Sequence, residues 1–391
     1  MRIGIFGGTF NPPHIGHLRS AAAVAEQLRL NRLIIVPSGI PPHKPLPDGT
    51  PPAALRMEMA RATFESMQNV EISDIEIIKQ GPCYTADTVS EIKRANPGAQ
   101  LFLLTGTDMY LTLESWKDSE TLLMSATPVV FSRNADDAGK IVEYSRGMQT
   151  RYGVRTETIA NAVVDISSSQ LREMLPLRGG VGYITDTTYS YIIKNRLYAA
   201  KPDWEWLREQ AYSMLATSRL AHVAGCESEA LRLADRWGVD ADDAREAAIL
   251  HDITKKLSPD EHLNVLAEHG INVGKLENSE EKLLHAKSGA ALAKSMFGVT
   301  DEVACAIMWH TTGRVGMTFL EKIIYLADYI EPERDFPGIG ELRAAAYEDV
   351  DKAMILGMEI SVQDMIARGI IPNRTTYDAL DDLRGLEGKN R

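Results

Sequence analysis

The sequence predicts an α/β domain with a parallel, Rossmann-like sheet, followed by a separate all-α helical bundle. Three observations carry this reading. Short apolar, β-rich runs alternate with amphipathic helical stretches up to about Leu197, the pattern of parallel strands joined by crossover helices. From Trp204 onward the strand signal stops and helical stretches rich in Ala, Leu, Glu and Arg follow one another. The length, 391 residues, also exceeds what one hydrophobic core normally serves.

Taken in order, strands are expected at Ile3–Phe6, Leu33–Val36, Val70–Ile72, Leu101–Leu104, Val129–Phe131 and Val154–Ile159, with helices over stretches such as Ala53–Met67 and Thr85–Ala95. Ligands of such sheets bind outside the carboxyl ends of the strands. In the second half Gly238, Pro259, Gly270, Gly298 and Gly313 mark helix ends. The domains are expected over residues 1–198 and 204–385, with Ala199–Asp203, AAKPD, as a short linker.

Hydrophobic and charged contents of 44% and 25% are those of an ordinary globular protein, and a net charge of -12 argues against a broad basic surface for nucleic acid. Small phosphorylated ligands need only a local cluster of donors. Cys83, Cys226 and Cys305 lie far apart with no pair at ligand spacing, so they are expected to be reduced thiols. No run approaches the roughly 18 apolar residues of a membrane span, and the N-terminus enters its strand without a basic region or cleavage site. A cytoplasmic protein without nucleic-acid or membrane partners is expected, and self-association as a homo-oligomer stays open.

The most informative stretch is GGTFNPPHIGH, Gly7–His17, directly after the first strand. Gly7 and Gly8 let the backbone approach a phosphate, while Pro12 and Pro13 stiffen the turn. A helix starting near Ile15 would aim free N–H groups and its positive dipole end at the same place. His14 and His17, three apart, would share a face there. Downstream, PPHK at Pro41–Lys44 lies in a proline-rich loop, Pro37–Pro52, able to close over a ligand. Gly106, Thr107 and Asp108 end the fourth strand, and Trp116 could stack on an aromatic ring. DISSSQLR, Asp165–Arg172, puts hydroxyls at a helix start and a guanidinium one turn in, which suits a phosphate.

His14–His17 resembles the H-x-G-H signature of the nucleotidyltransferase superfamily. Together with PPHK, GPCYTADTV from Gly81, GTDMYLTLESW from Gly106 and ISSSQLR from Ile166, it makes residues 1–198 resemble the bacterial nicotinate-nucleotide adenylyltransferases. The resemblance implies that the turn Gly7, Gly8, Thr9 and Phe10 binds substrate and that His14 and His17 bind the phosphates of Mg²⁺-ATP. It implies further that Ser168 and Arg172 grip the phosphates from the other side, and that Thr85, Asp108 and Trp116 surround nicotinate mononucleotide. Lys44 and Arg133 would add phosphate contacts. Three positions depart from the family pattern by small polar or near-isosteric changes, namely Asn11, Cys83 and Ser169. The implied products are deamido-NAD and pyrophosphate. The competing reading within the superfamily is another small transferase, such as the pantetheine-phosphate enzyme; PPHK and the Gly106–Trp116 segment favour the nicotinate enzyme. A G-x-G-x-x-G fingerprint, expected of an oxidoreductase, does not follow the first strand.

In the second half His251 and Asp252 are adjacent inside the apolar stretch AAILHDITKK. Burying both is costly unless something pairs with them, and a metal would. His222, His285, His310 and Asp328 also lie in helical segments with apolar neighbours, so a bundle can aim all six inward. The order, with LLHAKSGA, WHTTG and LADYIEP, resembles the HD-domain metal-dependent phosphohydrolases and, over residues 205–385, their YqeK-like branch. That resemblance implies symmetrical hydrolysis of diadenosine tetraphosphate to two ADP. One divalent first-row ion would sit on His222, His251, Asp252 and Asp328, and a second on His285 and His310 with Asp252 bridging; iron or manganese suits these donors. Lys255 reads equally as a phosphate contact or a solvated helix end, and His262 and His269 read as surface residues. The rival readings are a different nucleotide phosphohydrolase or a metal-stabilised regulatory module without turnover.

Overall fold

The computed structural model describes residues 1–41, 45–79, 81–131, 137–160, 164–272 and 281–385. The chain divides into two compact units, Met1–Pro202 and Asp203–Arg391.

The first unit is built on six strands, β1 (Arg2–Gly8), β2 (Arg32–Pro37), β3 (Val70–Ile72), β4 (Gln100–Gly106), β5 (Thr127–Phe131) and β6 (Glu157–Ile159), in one sheet of order β3-β2-β1-β4-β5-β6. Every pairing is parallel. Alternation along the strands sends Ile3, Ile5, Leu101, Leu103 and Val130 to one core and Phe6, Leu33, Phe102, Leu104 and Val129 to another. A sheet buried on both faces has no polar face, which is why its strands read as unbroken apolar runs. The helices are α1 (Ile15–Gln27), α2 (Ala53–Phe64), α3 (Thr85–Ala95), α4 (Thr107–Tyr110), α5 (Ser119–Ser125), α6 (Asp137–Tyr152), α7 (Ser168–Met174) and α8 (Asp186–Lys194). The strand order reverses between β1 and β4, where Phe6 pairs with Leu104. Side by side, the carboxyl ends of these two strands form the crevice in which ligands of such sheets bind.

The expected sixth strand, Val154–Ile159, shortens to Glu157–Ile159 because β6 is an edge strand and pairs β5 only from Val129 to Phe131. Val154 packs against the core without joining the sheet. The expected helix Ala53–Met67 ends at Phe64, and the chain turns through Asn69 at φ 59° to enter β3. Near the expected linker, Leu197–Ala199 form a 3-10 turn, Lys201 N–H donates to the Leu175 carbonyl at 3.1 Å and Arg178 to the Pro202 carbonyl at 2.7 Å. The segment is therefore bonded to the first unit as far as Pro202.

Ten helices are described in the second unit: α9 (Trp204–Ser213), α10 (Leu220–Trp237), α11 (Ala241–Leu250), α12 (Pro259–Glu268), α13 (Glu281–Phe297), α14 (Asp301–Trp309), α15 (Phe319–Ile330), α16 (Ile339–Glu348), α17 (Val350–Ala367) and α18 (Arg374–Leu383). Their ends obey local chemistry. Asp203, Asp240, Ser258, Thr300 and Thr318 cap α9, α11, α12, α14 and α15 with side-chain oxygens. Gly238 closes α10 at φ 69°, and Pro259 opens α12. The pairs α10 with α11 and α15, and α13 with α12 and α14, form the bundle. Among the described residues no helix is long and apolar enough to cross a membrane.

Candidate active sites in the two units

In the first unit β1 runs out at Gly8 and the chain turns through Phe10, whose φ is 47°, into α1. The entry to α1 is a capping box made of histidines. His14 is the N-cap: its Nδ1 accepts the Gly16 N–H at 3.1 Å, while its own N–H donates to Nδ1 of His17 at 3.2 Å. The rings lie 3.8 Å apart. Because each Nδ1 accepts a proton, the neutral tautomer of each ring carries its proton on Nε2, as a donor. This corrects the expectation of free N–H groups at the helix start. Gly16 N–H is taken by His14 and Ile15 N–H by the Tyr183 carbonyl at 2.9 Å. Donors there are imidazole N–H groups instead, with the positive end of α1 behind them.

Helix α7 closes on this turn. Ser168 Oγ donates to the Pro12 carbonyl at 2.8 Å, and Arg172 donates to the Asn11 carbonyl at 2.7 Å and to Ser169 Oγ at 3.0 Å. From the opposite side the buried Arg56 donates to the carbonyls of Thr9 and Ser38, both at 2.7 Å. Tyr198 donates to Asn11 Oδ1 at 2.8 Å, and Asn11 Nδ2 to Thr50 Oγ1 at 2.9 Å. Gly7 is exposed, and a Cβ built there would meet nothing within 4 Å; the chain's own packing does not require glycine at 7.

At the end of β4, Asp108 is exposed in the first turn of α4, and Thr107 is buried with a hydroxyl that makes no hydrogen bond. Trp116 is half-buried against the core, its indole N–H donating to Thr112 Oγ1 at 3.2 Å. Thr85 opens α3, and Lys117 lies 4.1 Å over the ring of Tyr84, which brings the Gly81 and Gly106 segments together. Lys44 and Arg133 lie outside the described residues.

In the second unit His222 lies on α10, His251 caps the C-terminus of α11, Asp252 follows in the turn, His285 lies on α13, His310 caps α14 and Asp328 lies on α15. All six converge. Asp252 Oδ2 is 3.5 Å from Nε2 of His251 and 3.9 Å from Nε2 of His222, whereas Oδ1 is 3.3 Å from Nε2 of His285 and 3.8 Å from Nε2 of His310. One carboxylate thus turns its two oxygens to two different histidine pairs. Nδ1 of His251 donates to the Ala248 carbonyl and Nδ1 of His310 to the Ile307 carbonyl, both at 2.7 Å, and Nδ1 of His222 lies 3.0 Å from Glu331 Oε1. Each of these bonds leaves an electron pair on Nε2, directed into the cluster. His222 Nε2 stands 3.1 Å from Asp328 Oδ1 and His285 Nε2 stands 3.3 Å from His310 Nε2. With its proton on Nδ1, His222 Nε2 is an acceptor facing the Asp328 carboxylate, and two acceptors this close repel unless a cation lies between them. His251 Nε2 and Asp252 Oδ1 are buried and make no hydrogen bond. The residues therefore fit divalent metal ions.

Comparison with known proteins bears on both units. A cytidylyltransferase-like family model matches residues 5–174, and an HD-domain model matches residues 219–333. A probable nicotinate-nucleotide adenylyltransferase of Gemmatimonas aurantiaca is 35% identical over 205 residues, covering 52% of this chain and 94% of that protein. The chain belongs to the nicotinate-nucleotide adenylyltransferase family, with an HD domain joined behind it. A symmetrical bis(5'-nucleosyl)-tetraphosphatase of Bacillus subtilis is 42% identical over 153 residues, 38% of this chain and 82% of that protein. A crystal structure described as a predicted HD superfamily hydrolase involved in NAD metabolism, from Clostridium acetobutylicum, matches 47% of this chain and 98% of its own with 35% identity and a TM-score of 0.46.

Electrostatics in the HD domain favour the ligand-ready forms of His310 and Asp252, whereas at His251 burial works against the charge but the Asp252 carboxylate outweighs it and raises the imidazole. Burial, with His251 and His285 alongside, pushes the His310 imidazole down to about 3, so it is neutral near pH 7. Burial works against the charge of Asp252, but His251, His285 and Lys255 outweigh it and hold the carboxyl well below its usual range. Lys255, for which the sequence allowed two roles, lies 3.6 Å from Asp252 Oδ1 and 2.8 Å from His285 Nε2. His262, expected at the surface, is buried: its Nδ1 lies 2.8 Å from Ser288 Oγ, which donates to Thr254 Oγ1 at 3.0 Å. The polar neighbours of His262 in sequence face water, while its own side chain turns toward α13. His269 is exposed, as expected.

Sequence reasoning missed Arg56 and Tyr198 in the first unit and Arg219, Cys226, Glu331 and Arg334 in the second. Arg219 pairs with Asp252, and Arg334 with Asp328 at 2.8 Å. Two of these carried a signal: Cys226 follows His222, and Glu331 follows Asp328, by one helical turn. Gly225 lets α10 approach Glu331, since a Cβ there would lie 2.7 Å from Glu331 Oε2. Glu331 orients His222 through Nδ1, so Glu331→Gln is expected to weaken metal retention about 10- to 100-fold. Competition with a chelator, followed by metal analysis, measures it; unchanged retention would remove that role.

Proposed function

We propose that the first unit transfers AMP from ATP to nicotinate mononucleotide, and that the second hydrolyses dinucleoside polyphosphates, diadenosine tetraphosphate foremost, to two ADP. For the first unit the observation that carries the reading is the stitching of α7 to the Gly7–His17 turn through Ser168 and Arg172. It gathers two imidazoles, a guanidinium, a hydroxyl and a helix N-terminus around one strand end. In the proposed reaction an oxygen of the mononucleotide phosphate forms a bond to the α-phosphorus of ATP, and the bond from that phosphorus to the β-phosphate bridging oxygen breaks. Pyrophosphate leaves, and Mg²⁺ enters as part of the ATP substrate. Such chemistry needs alignment and charge stabilisation rather than a covalent nucleophile. His14 and His17 supply Nε2–H donors to the phosphate oxygens, and Arg172 holds them from the α7 side. Gly7, with room where a side chain would stand, admits the phosphate close to the backbone.

Thr85, Asp108 and Trp116 would hold the mononucleotide, with Trp116 against the nicotinate ring. Trp116→Ala is therefore expected to raise KM for nicotinate mononucleotide more than KM for ATP. An equal loss for both substrates would count against this placement.

For the second unit the carrying observation is the two-sided carboxylate of Asp252. His222, His251, Asp252 and Asp328 would hold one first-row ion, iron or manganese by donor type, and His285 and His310 would hold a second with Asp252 bridging. When bound, two such ions supply Lewis acidity for a phosphate and a water of lowered pKa. Lys255, beside Asp252 and His285, stands where a substrate phosphate would neighbour the cluster, and its ammonium would offset the added negative charge. Assaying the full chain tests both readings. Deamido-NAD should form from ATP and nicotinate mononucleotide, no dephospho-coenzyme A should form from ATP and phosphopantetheine, and diadenosine tetraphosphate should yield ADP alone. Failure of either product overturns the corresponding half.

A further inference from the structure

We propose that Cys226 is a sulfur ligand of the metal centre formed by His222, His251 and Asp328, which makes that centre select thiophilic ions over manganese or magnesium. The inference rests on the reading of the HD domain as metal-binding. One ligand atom from each of these four residues lies within 4.8 Å of the other three. Cys226 follows His222 by one turn of α10, so both side chains leave the same helix face.

The separations match a shared ion. Donors at about 2.0–2.3 Å from one ion lie roughly 3.3–3.8 Å from each other at tetrahedral angles and roughly 2.8–3.3 Å at the right angles of a five-coordinate ion. Cys226 Sγ is 3.5 Å from His222 Nε2, which is itself 3.1 Å from Asp328 Oδ1. The ordinary alternative is a core thiol donating to His222. That bond needs the one electron pair of His222 Nε2, which an ion at this place would also use, and beside it His251, 1% exposed, has Nδ1 engaged by the Ala248 carbonyl and an Nε2 that makes no hydrogen bond. An ion on all four residues satisfies that nitrogen and separates the facing acceptors of His222 and Asp328.

On binding, the Sγ–H bond breaks, its proton passes to bulk water and an Sγ–metal bond forms, with no change of oxidation state. Thiolate is a soft donor and imidazole a borderline one, a set that suits iron, cobalt or zinc. The resulting donors, two nitrogens, one sulfur and one oxygen, fill four positions. Asp252 Oδ2 would add a fifth donor beside His222 and His251 while its Oδ1 stays turned toward His285 and His310, so the bridging place of this carboxylate is kept.

Cobalt(II) reports sulfur ligation by its spectrum, without reference to turnover. Metal-free full-length protein titrated with cobalt(II) is expected to develop visible d–d bands together with an intense near-ultraviolet sulfur-to-cobalt band. Cys226→Ser should lose the near-ultraviolet band and keep the d–d bands. In the unsubstituted protein loaded with zinc, X-ray absorption should find a sulfur neighbour at about 2.3 Å, a measurement independent of whether the variant folds. Visible bands without the sulfur band, or a sulfur band that survives in Cys226→Ser, overturn the assignment while leaving metal binding intact. No cobalt uptake at all overturns the metal-binding reading and this inference with it.

Discussion

Asp252→Ala is expected to abolish diadenosine tetraphosphate hydrolysis and to strip the HD domain of bound metal, while deamido-NAD synthesis stays near the parent rate. The carboxylate faces His222 and His251 with one oxygen and His285 and His310 with the other. Without it, the His285–His310 pair has no anionic donor, and the His222–His251 side loses one of its carboxylates together with the bridge to its neighbour. The substitution also leaves Arg219 and Lys255 without their buried partner, and breaking one side of a buried ion pair costs about 3–5 kcal/mol. That is a large share of the roughly 5–15 kcal/mol that holds a domain folded. Asp252→Asn, which keeps the shape and removes the charge, separates loss of metal from loss of fold. Both variants should lose metal by elemental analysis and hydrolysis by product chromatography, and Asp252→Asn should keep its helical circular dichroism. Retained hydrolysis would sink the bridging assignment, and parallel loss of adenylyl transfer would show that the two activities depend on each other.

His17→Ala is expected to slow adenylyl transfer about 10²- to 10³-fold, the usual effect of removing one preorganised donor from a developing phosphate charge. His17 also accepts the His14 N–H in the capping box, so the fold loses something too. Loss of a cap costs about 0.5–2 kcal/mol, which lowers the melting temperature without emptying the folded state of a domain of ordinary stability. The barrier effect is the larger of the two, so kcat should fall far more than the folded fraction. Rates measured beside a thermal melt decide the matter. Activity within a few-fold of the parent would remove His17 from the phosphate site, and an unfolded variant with no rate would show that the cap outweighs the chemistry.

Local chemistry alone determined much of this protein. A strand buried on both faces must be apolar throughout, so β1, β2, β4 and β5 could be read from short uninterrupted runs. Helix ends followed from Gly238, Pro259 and Gly313, whose backbones either adopt left-handed φ or lack an N–H, and neither depends on distant residues. The two site constellations were legible because Gly7–His17 and His251–Asp252 are contiguous, and because a charged pair inside an apolar helix demands a partner.

Tertiary structure decided what depends on residues far apart in the chain. Whether a helix start offers backbone N–H groups or imidazole N–H groups depends on where the side chains of His14 and His17 turn, and on Tyr183 arriving from a later segment. Arg56 and Tyr198 reach the nucleotide turn from α2 and from the end of the first unit. His262 looked solvated because its neighbours in sequence are polar, yet its own direction is set by Ser288 on α13. Cys226 lies beside His222 within α10 itself, but Glu331 reached the other side of His222 only when α10 and α15 packed together. Period and spacing say which face of a helix a residue occupies. Which partner waits opposite that face is fixed by packing, through contacts that no local stretch of sequence contains.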